Sequence, residues 1–451
     1  MAFTDERPFL DAIFTRYHDD APRLVYADYL DDAGDPDRAE LVRVQVALAR
    51  LPDDHPRKPG LVDRQDELIA ANSARWGAHV ADLGARLSFR RGVPDAAFMY
   101  AGAFLSDGEE LFRRAPVRRL RLLEAAAVMP KFTHSPLLAR VRELDLCTNE
   151  LGDAGVELLT RSRHLGELEE LDLAANWIDD EGVRLLAAAG TLPRLTGLAL
   201  NDNEKITAEG IRAVTESPFL ARLTALDLSG NDLGDAAVRA VLASRTLARL
   251  HTLRLARNPI GDAGIAALAG SELFHRMLRR SSRLELRGTA IGPAGAAALA
   301  ASPALARCTV LDLSANYLGV EGFVAVVGSP HLGRLQSLKL AGNQITDAGL
   351  VAVRAELPAL LRRLRVLDLG NNRLTRYGIG LLQSARGDSP AAVDVSENIQ
   401  ASACGEAPVP LGDVVPGVLR DVAGAAEAAA LRRRVAHPAG RPRNRANPPP
   451  L

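Results

Sequence analysis

The sequence predicts an α/β solenoid, with parallel strands on its concave side and helices outside, preceded by a small all-α domain. Three observations carry that prediction. A strand–loop–helix unit recurs through the later part of the 451-residue chain. An asparagine column and a glycine column run through its copies. Residues 1–80 lack the unit and show helix punctuation instead.

In residues 1–80, Asp20-Ala-Pro22 and Asp35-Pro36 read as helix starts, a capping residue followed by proline, and Gly34 reads as a helix stop. The segments between carry apolar faces: Phe9, Ile13 and Phe14; Leu24, Val25, Tyr29 and Leu30; Leu41, Val44, Val46 and Leu48. Residues 81–140 hold degenerate copies of the unit, among them LSFRRGVPDAAFM and VRRLRLLEAA. They are expected to close the front of the solenoid, which then starts near Leu87, because a stack of repeats leaves an open apolar face at each end.

Residues 141–400 carry the repeats proper. Copies include VRELDLCTNELGDAGVELL from Val141, LEELDLAANWIDDEGVRLL from Leu168, LTALDLSGNDLGDAAVRAV from Leu223 and LRVLDLGNNRLTRYGIGLL from Leu364. In LxL a polar residue alternates with buried leucines, the pattern of a short strand with one inner face. The asparagine column is Asn149, Asn176, Asn203, Asn231, Asn258, then Thr289, then Asn316, Asn343, Asn372 and Asn398. An amide there can satisfy backbone groups that the turn leaves unpaired. A threonine can do so only partly, so the coil at Thr289 is expected to be the weak one. The step into Thr289 is also the longest, and LFHRMLRRSSR is read as a lengthened loop. The glycines at 155, 182, 210, 264, 295, 322, 349 and 378 sit where each helix begins. Glycine in a helix costs up to about 1 kcal/mol relative to alanine, so the column implies close packing of helix on strand. Residues 401–437 are expected to form a helical C-terminal cap ending in Arg432, Arg433 and Arg434. Residues 438–451 are expected to be a disordered basic, Pro-rich tail.

The template LxxLxLxxN followed by a helical half resembles the leucine-rich repeat of the ribonuclease-inhibitor-like type. That resemblance implies a curved parallel sheet and a role in binding other proteins. The stretch RLVYADYLDDAGDP resembles the small repeat-companion domain of planctomycete proteins, which are bacterial. Tyr26, Asp28, Asp31 and Asp32 are its polar signature here, readable as a docking patch or as helix-cap and surface chemistry.

No catalytic constellation is present: no GxxxxGKS or GxxxxGKT, no GxSxG and no HExxH. Cys147, Cys308 and Cys404 are scattered, so no structural zinc is expected; Cys308 reads as buried and Cys147 as partly exposed. Neither an enzyme activity nor a cofactor is expected. Without an export signal or an apolar stretch of membrane-spanning length, the reading is cytoplasmic with no membrane contact.

The x of LxL faces the concave side. Along the sheet it reads Asp145, Asp172, Ala199, Asp227, Arg254, Glu285, Asp312, Lys339, Asp368 and Asp394. Arg254 stands between Asp227 and Glu285, and Lys339 between Asp312 and Asp368, so the column is partly self-neutralised. It supports two readings, a stripe that binds a basic peptide or domain, and a solvated charge ladder; on the residues alone the second weighs more. The function expected is a non-catalytic protein-interaction scaffold binding its partner on the concave face. The alternatives are a regulator of a small GTPase, through the resemblance, and nucleic-acid binding through the Arg-rich tail. A formal net charge of −1 does not favour the latter.

Overall fold

The computed structural model describes residues 6–51 and 55–398; the expected C-terminal cap and tail lie outside them. Four helices come first: α1 (Arg7–Thr15), α2 (Ala21–Asp32), α3 (Pro36–Arg50) and α4 (Lys58–Gly77). Pro22 and Pro36 fall in the first turns of α2 and α3, and Gly34 takes a left-handed φ of +82° between them. Tyr26 is fully buried, and its hydroxyl donates to Glu6 at 2.5 Å, while Arg38 pairs with the same carboxylate at 3.2 Å. Asp28 and Asp31 both pair with Arg43 of α3, at 2.6 and 2.8 Å. Three of the four signature residues thus hold helices together.

The strands are β1 (Arg86–Arg90), β2 (Val93–Tyr100), β3 (Arg119–Leu123), β4 (Glu143–Asp145), β5 (Glu170–Asp172), β6 (Gly197–Ala199), β7 (Ala225–Asp227), β8 (Thr252–Arg254), β9 (Arg283–Glu285), β10 (Val310–Asp312), β11 (Ser337–Lys339), β12 (Val366–Asp368) and β13 (Ala392–Asp394). The helices that return the chain are α5 (Ala101–Arg114), α6 (Met129–Phe132), α7 (Gly152–Thr160), α8 (Asp180–Ala187), α9 (Ala208–Glu216), α10 (Asp235–Ala243), α11 (Gly261–Ala269), α12 (Glu272–Arg280), α13 (Pro293–Ala300), α14 (Gly319–Val327), α15 (Asp347–Ala352), α16 (Leu357–Arg363) and α17 (Arg376–Arg386). β1 and β2 form an antiparallel hairpin, and every later pairing is parallel. The hairpin turn meets α3 closely. A Cβ on Gly92 would fall 2.2 Å from Val42 Cγ2, and its N–H donates to Gln45 Oε1 at 2.6 Å. One apolar core runs from Leu10 through the LxL leucines to Ala391.

The asparagine column is a buried hydrogen-bond ladder. Asn176 donates from Nδ2 to Leu146 O, one coil back, at 2.8 Å and to Ala174 O at 3.0 Å. Its Oδ1 accepts from Asn149 N at 3.0 Å and Leu151 N at 3.3 Å. The same pattern recurs at Asn203, Asn258 and Asn372. The residue before each ladder position has positive φ in all ten coils, from Thr148 at +58° to Glu397 at +55°.

The sheet is not continuous, as the charge ordering across Arg254 and Glu285 assumed. β1–β8 form one sheet and β9–β13 another. The gap falls at Thr289. Its hydroxyl donates to Leu286 O of its own coil at 2.8 Å and approaches Asn316 Oδ1 at 3.4 Å, without reaching back to the Asn258 coil. The lengthened loop also proves to be a helix. Ser271 Oγ accepts from Phe274 N at 3.1 Å to start α12, and Leu273, Phe274 and Leu278 are buried beneath it. The apolar residues were at helical spacing, but the repeat template had no place for a second helix.

The glycine column also needs correcting. The obstacle to a side chain is mainly the preceding helix, not the sheet. A Cβ on Gly182 would fall 2.3 Å from Asp153 Oδ1 and 2.7 Å from Ile178 Cγ2. Asp153 Oδ1 accepts from Asp179 N and Gly182 N, both at 3.0 Å. Asp180 does the same for Thr207 N and Gly210 N, and Asp347 accepts from Thr375 N. Each such aspartate caps the helix of the following coil, satisfying N–H groups that a helix start leaves orphaned.

Candidate binding face

The concave column residues lie in register. Asp145 faces Asp172, Asp172 faces Ala199, Ala199 faces Asp227 and Asp227 faces Arg254. In the second sheet Glu285 faces Asp312, Asp312 faces Lys339, Lys339 faces Asp368 and Asp368 faces Asp394. Arg254 approaches Asp227 to 3.3 Å, while Glu285 belongs to the other sheet.

Six column aspartates share one local task. Each accepts through Oδ1 from the backbone N–H two residues on: Asp145 from Cys147 (3.0 Å), Asp172 from Ala174 (2.9 Å), Asp227 from Ser229 (3.0 Å), Asp312 from Ser314 (2.9 Å), Asp368 from Gly370 (2.9 Å) and Asp394 from Ser396 (2.8 Å). This is the Asx-turn habit of aspartate, and it accounts for Asp in LDL without any ligand. Asp172 also bears a cost of charge. Burial, with Asp145 and Asp227 on either side, pushes its carboxyl up to about 6. Burial likewise raises Asp368, between Asp312 and Asp394.

A groove of about 650 Å³ lies over the first sheet, from Arg86 of β1 to Arg254 of β8. Its floor is small at Gly197, Ala199 and Ala225. The LxL column does not include two further groove acids, Glu143 and Glu170, which directly precede the first leucine of LDL in VRELDL and LEELDL. Arginines gather at its front: Arg119 and Arg90 pair with Glu143 at 2.5 and 2.9 Å, and Arg121 lies 3.5 Å from Asp145.

Cys147 is buried rather than partly exposed. Burial and the Asp145 carboxylate push its thiol up to about 12, which leaves it a poor nucleophile at neutral pH. Donor atoms of Asp145, Cys147 and Asp172 lie within 4.8 Å of one another. One oxygen of each aspartate is already held by backbone N–H, and Arg121 supplies a cation, so the set does not define a metal centre. No helix among the described residues is long and apolar enough to cross a membrane.

The fold is a leucine-rich-repeat solenoid with a helical N-terminal region. A family model described as Leucine Rich repeat matches residues 168–187, 222–242, 249–269 and 335–353. Among solved structures, an internalin from Listeria monocytogenes is 21% identical, with a TM-score of 0.39, over 62% of this chain and 66% of its own. A TDR receptor is 15% identical, with a TM-score of 0.32, over 64% of this chain and 48% of its own. A chain of the yeast Rad7 and Elc1 complex is 13% identical, with a TM-score of 0.40, over 72% of this chain and 81% of its own. This chain therefore spans less than two thirds of the first two. No curated protein matches it.

Proposed function

We propose that this chain is a non-catalytic interaction scaffold that takes a basic segment of a partner protein into the concave groove of its first sheet. The observation that carries this reading is the groove itself, where Glu143, Asp145, Glu170, Asp172 and Asp227, with Arg86, Arg119, Arg121 and Arg254 toward its ends, surround a floor that is small at Gly197, Ala199 and Ala225. A small-residue floor lets a partner backbone approach, and clustered carboxylates steer a cationic one. The raised carboxyl of Asp172 fits the same view, since a bound cation would offset the charge that its surroundings disfavour. Arg254, Glu285, Asp312, Lys339, Asp368 and Asp394 continue the column and would extend the contact into the second sheet. Residues 1–80 are read as a helical repeat-companion domain, followed by degenerate capping coils over 81–140 that close the front and by repeats over 141–400.

Affinity capture from the cognate cell extract tests this, comparing the protein with a variant carrying Asp145→Asn, Asp172→Asn, Asp227→Asn and Asp312→Asn. Asparagine keeps the Asx-turn acceptor and removes the charge. The expected result is loss of the specific partner; an unchanged partner list would end the groove reading.

A further inference from the structure

Trp177 is 68% exposed in a chain where aromatics make up only 4% of residues. It follows ladder residue Asn176 and sits at φ +59°. Glu150 and Glu204 hold the same place after Asn149 and Asn203, at φ +56° and +43°. Asn149 N donates to Asn176 Oδ1 at 3.0 Å and Asn176 N to Asn203 Oδ1 at 2.9 Å, which locks the three coils in register. The three side chains therefore form a column on the loop edge of the solenoid, in steps of about 5 Å. Both glutamates are exposed, and neither has an ion-pair partner among the described residues. The nearest lysine, Lys205, acts on Asp179.

The repeat does not call for tryptophan here, since other coils place Asp232, Pro259, Ala290, Gln344 and Arg373 at this position. Tyr317 is the counterpart in the second half and is 62% exposed, but its column neighbours Ala290 and Gln344 are uncharged. Among the described residues, only Trp177 stands in this column between two exposed glutamates without ion-pair partners. A planar, weakly hydrated guanidinium is the group that suits both, stacking on the ring while its N–H edges meet oxygen acceptors.

We propose that Trp177, Glu150 and Glu204 form a subsite for an arginine side chain of a partner protein's basic segment. The idea deepens the groove reading, because Asp145 and Asp172 lie on the same coils as Glu150 and Trp177, yet the two can fail separately.

The test titrates the full chain with nona-arginine and with nona-lysine, reading tryptophan emission. Trp76, the other tryptophan, is buried beside Phe89 and serves as an internal reference. A saturable change with nona-arginine, weaker with nona-lysine, is expected. By calorimetry Trp177→Ala should weaken arginine-peptide binding about tenfold, and Glu150→Gln with Glu204→Gln should weaken it comparably. Asp145→Asn with Asp172→Asn should lower affinity while leaving the emission change intact. No saturable change, or unaltered calorimetric affinity in Trp177→Ala, overturns the subsite. An emission change on neutralising Arg432, Arg433 and Arg434 in the full chain without peptide would overturn the assignment to a partner, because the chain's own arginines would then fill it.

Discussion

The two sheets of this solenoid are built from the same repeat, yet they do not join. Within each half an asparagine of one coil bonds the coil before it. At the junction Asn231 N still reaches Asn258 Oδ1 at 3.2 Å, but nothing equivalent runs from Thr289 to Asn258. Backbone bonds from Arg257 N to Arg287 O (2.7 Å) and from Gly261 N to Thr289 O (3.0 Å) keep the coils together. The leucines above and below stay buried on both sides. Buried leucines and these backbone bonds thus keep the coils stacked where strand pairing lapses, and the lapse coincides with the missing rung and with the inserted α12.

The strongest way to break this comparison is to remove one rung from each kind of coil. Asn176→Ala would leave Leu146 O, Asn149 N and Leu151 N without side-chain partners in the core. At about 1–3 kcal/mol for each buried group left unsatisfied, the expected loss is about 4 kcal/mol. Thr289→Ala removes a single good bond and should cost about 1 kcal/mol. Urea unfolding of both variants decides the matter, and equal losses would mean that the ladder does not set the difference.

The second change tries to mend the gap. Thr289→Asn should bond the Asn258 coil and add about 1–2 kcal/mol, counting two new buried bonds. Because α12 is inserted at the same junction, the result also separates two causes. Slower amide exchange between residues 252 and 289 would assign the gap to the missing rung. Unchanged exchange would assign it to the extra helix.

A smaller effect concerns charge in the first sheet. The folded carboxyl of Asp172, at about 6, lies above its ordinary value of 3.8. The folded state therefore holds this proton more tightly than the unfolded state. Its contribution to stability falls as pH rises from about 4 to about 6 and is level above that. Asp172→Asn should abolish this fall, gaining on the order of 1 kcal/mol above pH 6 and nothing near pH 4. A gain of equal size at both ends of that range would show that charge burial is not its source.

Much of this was legible beforehand because it is written in residue types with one physical use. Leucine at period two and asparagine at each turn state the strand and the rung, and Thr289 marks the faulty coil. Other features left no signature. The left-handed position before each rung is filled by Thr148, Ala175, Asp202, Gly230, Arg257, Gly288, Ala315, Gly342, Asn371 and Glu397, so it could not be read as a glycine column. The Asp153-type cap acts across coils, and nothing local pairs Asp153 with Gly182. The groove acids Glu143 and Glu170 stand two residues before the column, at a position that is Gly197, Ala225 or Thr252 in the next coils, so no repeated charge marks it. Trp177 stood one residue after a recognised column, but its exposure depends on the loop's path.

The left-handed column also gives the finest test, because it treats the two sheets alike where the rungs do not. Ala315 sits at φ +55° in the second sheet and Ala175 at +51° in the first. An L-residue there costs about 1–2 kcal/mol that glycine avoids, while glycine gives back about 0.5–1 kcal/mol in unfolded-chain entropy. Ala315→Gly and Ala175→Gly should therefore each stabilise by about 0.5 kcal/mol, measurable as a rise in the urea midpoint at constant slope. The two gains should match, since both residues precede an intact asparagine rung. If only Ala175→Gly gained, the second sheet would differ from the first in its turns as well as at Thr289, and the single rung would no longer explain the contrast.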